Sequence, residues 1–135
     1  LQGEERENGV SAVLKIMAGI PALSFVLVGL AWWIAPEFAA KPLGMELLGG
    51  AGLSTQIADL AAFFLTLGGS ILMGLASGNR VWLYPPIMLL GFAIVGRLIA
   101  WIFHGADLAI DMIAAEAIVI AVLVFNVRAL PKKMA

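Results

Sequence analysis

Four apolar runs govern what this chain can become: 10–35, 57–76, 82–103 and 107–129. A helix needs about 20 apolar residues to cross the hydrocarbon of a bilayer, and each run supplies them. Lipid cannot hydrogen-bond an open backbone, so such runs must satisfy their own N–H and C=O groups as helices. Little of the 135 residues is then left beyond connectors. The chain is 62% hydrophobic and 13% charged, where soluble domains carry about 25% charged residues. One globular core could not hide that much apolar surface. The expected fold is all-α: an integral membrane, up-and-down four-helix bundle forming a single domain over 1–135.

The segments between the runs sharpen this expectation. Residues 1–9 carry Glu4, Glu5, Arg6 and Glu7 and read as a solvated tail. The first run is longer than the roughly 7–15 apolar residues of a signal peptide, and no clean A-x-A site follows, so it reads as a span. Pro21 should kink it, because its ring removes a helical donor. Trp32-Trp33 end it, where indoles favour the headgroup level. The connector 36–56 is the longest, and its apolar residues over 43–53 suggest a short helix lying at the interface. Gly44, Gly49, Gly50 and Gly52 count against that helix. Asp59 falls in the first turn of the second run.

Ser77-Gly78-Asn79-Arg80 and His104-Gly105-Ala106 read as tight turns, and Pro85-Pro86 sits in the first turn of the third span. Tight turns force antiparallel neighbours, so spans two, three and four should pack as one group, with span one on a longer tether. Ala58, Ala61, Ala62, Gly68, Gly69 and Gly74 on span two, and Gly91 and Gly96 on span three, would permit close helix approach. If the spans alternate, Arg6, Lys15, Arg80, Arg128, Lys132 and Lys133 share one side and only Lys41 the other. The excess of Lys and Arg marks the cytoplasmic side, which puts both termini there (N-in/C-in).

With that orientation Glu37, Glu46, Asp59, Asp107 and Asp111 fall on or near the outer face. Arg97 stands roughly 10 Å and Glu116 roughly 13 Å below it, at 1.5 Å per helical residue. A charge within a span costs about 2.5–3.5 kcal/mol on insertion scales, so it should face the bundle interior and be paired. Matching depths on adjacent helices point to Arg97 with Glu116. Asp59 is the natural second partner, because a guanidinium can serve two carboxylates. His104 lies one or two turns above Arg97 on nearly the same face, with Trp101 between them.

Each feature has a plain structural reading beside the functional one. An Arg97–Glu116–Asp59 network could serve only to fix helix register. Asp107 and Asp111 could be helix-start carboxylates favoured by the macrodipole, and His104 an interfacial turn residue. A hard cation between Asp111 and Glu116 is disfavoured, since the two point roughly 140° apart on an ideal helix. No metal or cofactor is expected. The absence of cysteine removes disulfide and thiolate chemistry, and a net charge of −1 with no basic run argues against nucleic acid. No nucleophile–base pair or phosphate-binding loop is present, so the reading leans away from an enzyme.

Asp59, Phe63-Phe64, Gly68-Gly69, Gly96-Arg97, His104-Gly105 and Glu116, in that order, resemble a family of small four-helix bacterial integral membrane proteins classed as a domain of unknown function. The likeness covers the chain from Ile57 onward, and span one fits by position. It implies the bacterial inner (cytoplasmic) membrane and marks Asp59, Arg97 and Glu116 as polar positions; it implies no activity. The leading expectation is a lipid- or amphiphile-binding or accessory protein, with Asp59, Arg97, Glu116, His104 and Asp111 as its ligand-binding or polar-network residues. Its expected partners are membrane lipids, an amphiphilic ligand, and a second copy or another membrane protein. A structural scaffold subunit comes second, proton or ion translocation third.

Overall fold

A computed structural model describes residues 1–130. Every element in that range is helical: α1 (Gln2–Ile34), α2 (Pro36–Ala40), α3 (Gly50–Ser77), α4 (Tyr84–His104) and α5 (Ile110–Ala129). Short 3-10 turns at Lys41–Leu43 and Arg80–Leu83 lead towards α3 and α4. Four of the helices, α4 counted with its leading 3-10 turn, are long and apolar enough to cross a membrane. Lys132 and Lys133, counted above with the cytoplasmic cations, lie outside the described residues.

The long helices pack as α1 on α3, α3 on α4, α4 on α5 and α5 on α1, which closes a ring of antiparallel neighbours. The most extensive of these seams is α1 with α3. Span one is therefore not the loosely held member that its long connector suggested. Gly19 lies beside Leu75 at one end of the seam and Gly29 beside Leu65 at the other. Close approach is what the seam requires: a Cβ on Gly68 would collide with the Ala22 carbonyl oxygen, and one on Gly29 would come within 2.6 Å of Leu65 Cγ. Gly69, Gly91 and Gly96 have nothing within 4 Å of where a Cβ would stand, so these small residues serve no close contact inside the chain.

Three segment boundaries differ from the expectation. Residues 2–9, read as a solvated tail, continue α1 as an exposed helical extension. Glu4 and Glu5 in its first turn favour that start through the helix dipole. The connector carries its short helix at Pro36–Ala40 rather than over 43–53. Pro36 has its φ pre-set for a first helical position, and Gly44, at φ 67°, reverses the chain into an extended stretch that ends where α3 begins. The last turn is longer than three residues. Gly105 takes a left-handed conformation, Ile110 N–H donates to the Leu108 carbonyl at 2.9 Å, and Asp107 precedes α5 instead of opening it.

Two apolar clusters fill the ring. One runs through its middle and inner end, around Ala22, Leu67, Ile71, Leu90 and Leu123. The other gathers Ala39, Ala40 and Ala61 on Trp32 beneath the connector. Trp32, expected at the headgroup level, is completely buried and its indole N–H has no acceptor. Trp33, one position on, is exposed. Pro21 sits inside α1 without ending it.

Candidate functional site: a paired charge beside apolar cavities

Arg97 lies two turns before the end of α4, and Glu116 on the second turn of α5. Because the connection reverses the chain, the two meet at one level. Arg97 Nε–H donates to Glu116 Oε1 at 3.0 Å and to Oε2 at 3.2 Å, and Nη2–H donates to Oε1 at 2.9 Å. The carboxylate thus lies along one edge of the guanidinium in a forked, charge-assisted arrangement. Side-chain exposures of 31% for Arg97 and 15% for Glu116 put the pair beyond the weak, screened ion pairs of an open surface. Arg97 Nη1 makes no hydrogen bond among the described residues, so part of the guanidinium's donor set is uncommitted.

The pair forms the polar wall of adjoining cavities. One, of about 360 Å³, is bounded by Arg97, Leu60, Phe63, Phe64, Met112 and the connector residues Leu43 and Met45. A second, of about 220 Å³, shares Arg97, Met112, Leu43, Phe63 and Phe64 with the first and reaches Glu116. A third, of about 280 Å³, adjoins the second at Phe25, Pro42, Leu43 and Phe64 and continues along α1 past Val28 to Ala31. Phe64 packs edge-on against Phe63, ring centroids 5.2 Å apart, and tilted against Phe25 at 6.1 Å. These aromatic contacts keep the walls apart where helices would otherwise close on one another. One charged pair therefore stands at the side of a nearly wholly apolar space beneath the connector.

The connector is held there by a residue the sequence reading passed over. Gln56, on the second turn of α3, is 8% exposed. Its Oε1 accepts from Leu48 N–H at 2.7 Å, and its Nε2–H donates to the Glu46 carbonyl at 3.0 Å. It meets the extended backbone as a paired strand would. The available signal was its spacing: Gln56, Leu60 and Phe63 share the inward stripe of α3. At the inner end Asn126, 1% exposed, donates to the carbonyls of Leu14 and Val122 at 3.0 and 2.9 Å and ties α5 to α1.

Three other residues expected in the site are not gathered into it. Asp59 is exposed, and among the described residues it makes no ion pair with Arg97. The reason is helical phase. Gly68 must face α1, and Asp59, nine residues earlier, lies half a turn away at 3.6 residues per turn. His104 and Asp111 are both exposed and line none of the three cavities. Among the described residues no group of three His, Cys, Asp or Glu could hold a metal ion. Compared with known proteins, the chain matches no protein-family model, no curated protein and no solved structure.

Proposed function

We propose that this chain is a bacterial inner-membrane protein that holds a membrane amphiphile in the outer half of its bundle, and a member of the small four-helix family it resembles. Both termini face the cytoplasm. The amphiphile's headgroup meets Arg97 and Glu116, and its tail lies along Phe63, Phe64 and the apolar groove of α1. The observation that carries this reading is the forked Arg97–Glu116 pair as the polar wall of otherwise apolar cavities. Ligand sites have this character: concave, mostly apolar, with a few placed polar groups. The cation count at the two ends of the bundle supports the orientation.

Proton relay has less support. Asn126 Nδ2 is committed to two backbone carbonyls, and Thr66 faces away from the bundle, so little remains below Glu116 to pass a proton. In the scaffold reading the pair only fixes the register of α4 and α5. Native mass spectra of gently purified protein separate the two. A discrete adduct that survives detergent release, and is lost in Arg97→Ala while the helical circular dichroism is kept, is the expected result. Protein without any adduct would sink the amphiphile reading and put the scaffold first.

A further inference from the structure

Resting on the amphiphile reading, we propose that the Arg97–Glu116 site selects an electrically neutral, hydroxyl-bearing headgroup over an anionic one. Charge is the first argument. Arg97 and Glu116 are the only charged residues lining the adjoining cavities, and their formal charges cancel. A neutral headgroup leaves the site neutral. An anion would leave one net negative charge among phenylalanine, leucine and methionine, where uncompensated charge is costly. Lys41, the cation of the connector, is exposed and lines none of the cavities. The outer end of the bundle opposes an anion further, because Glu37, Glu46, Asp59, Asp107 and Asp111 are all exposed there.

Hydrogen-bond capacity is the second argument. Nη1 of Arg97 is a donor without a protein acceptor, while Oε2 of Glu116 accepts only a shared bond at 3.2 Å. The pair therefore presents a donor and an acceptor together. A hydroxyl accepts and donates through one oxygen, so it can take the Nη1–H and give its own proton to Oε2. An ester or ketone oxygen only accepts and would leave the carboxylate unserved. An ammonium only donates and would leave Nη1 unserved. Glycerol-type headgroups on acyl tails combine the hydroxyl with the tail that the apolar walls would receive.

The test is a competition on the full chain. The protein is reconstituted into phosphatidylcholine bilayers holding equal amounts of dioleoylglycerol and dioleoylphosphatidic acid, and the retained lipid is weighed by native mass spectrometry. Dioleoylglycerol should be enriched by about tenfold over the acid, a difference of about 1.4 kcal/mol. Glu116→Gln leaves the Arg97 charge unmatched and should reverse the order. Equal or greater retention of phosphatidic acid by the wild type overturns the headgroup assignment and leaves an amphiphile site standing. Retention of neither lipid overturns both readings. The wild-type competition decides the matter even if Glu116→Gln fails to fold.

Discussion

Arg97 and Glu116 each put a full charge on a helix whose other side chains are mostly Leu, Ile, Val and Ala. Alone, either would carry the insertion penalty of about 2.5–3.5 kcal/mol. Together they neutralise one another through three short contacts. The coupling has a measurable sign. Arg97→Met strands the Glu116 carboxylate and should cost about 1–3 kcal/mol, the usual penalty for a sheltered polar group left unserved. Arg97→Met combined with Glu116→Leu removes both charges and should recover most of that loss, as apolar replacements of sheltered ion pairs do. Unfolding titrations in mixed micelles, arranged as a double-mutant cycle, read the coupling directly. A double variant as unstable as the sum of the single variants would mean that the two side chains do not support one another. Gln56 and Asn126 show the same discipline at neutral sites, since each is buried and each makes two hydrogen bonds. Trp32 is the exception: its indole is wholly buried with its N–H unserved, a cost that the packing of α2 and α3 around the ring must offset.

At the level of elements, the seam between α1 and α3 rests on backbone proximity, and proximity can be tested by adding one carbon. Gly68→Ala sets a Cβ against the Ala22 carbonyl, a backbone atom that cannot turn aside. It should destabilise by about 1–3 kcal/mol, as overpacking does. Gly91→Ala adds the same carbon to α4 where nothing stands within 4 Å and should be neutral or favourable by up to about 1 kcal/mol, since glycine disfavours a helix interior. Thermal unfolding in one detergent compares them, and equal shifts would refute the seam. The same contrast explains what the sequence could and could not convey. Four spans were legible because hydropathy over 20 residues is a property of each run alone. The Arg97–Glu116 pairing was legible because depth along two joined helices follows from rise per residue. Rotational phase was not. Gly68 and Gly69 look alike in the sequence, yet only Gly68 meets α1. Asp59 had the right depth and the wrong face. The extent of α1 through 2–9 and the early start of α3 at Gly50 escaped for another reason, since hydropathy locates lipid and not the helix ends that continue beyond it.

At the level of the whole molecule, the ring has two chemically different ends. The connector, His104 and exposed Glu37, Glu46, Asp59, Asp107 and Asp111 gather at one; Arg6, Lys15, Arg80 and Arg128 gather at the other. The proposed amphiphile site lies towards the acidic end, so its orientation decides which leaflet it would serve. Cation asymmetry predicts that the basic end is cytoplasmic. The sequence contains no cysteine, which makes single introduced thiols unambiguous reporters. Glu37→Cys and Asp107→Cys, both exposed at the acidic end, should react with a membrane-impermeant maleimide on spheroplasts. Asn8→Cys, exposed at the opposite end, should react only after the membrane is opened. The reverse pattern would turn the site towards the inner leaflet while leaving the bundle intact. Labelling of all three positions without permeabilisation would mean that the chain does not cross, and the apolar exterior would then need a protein cover in place of lipid.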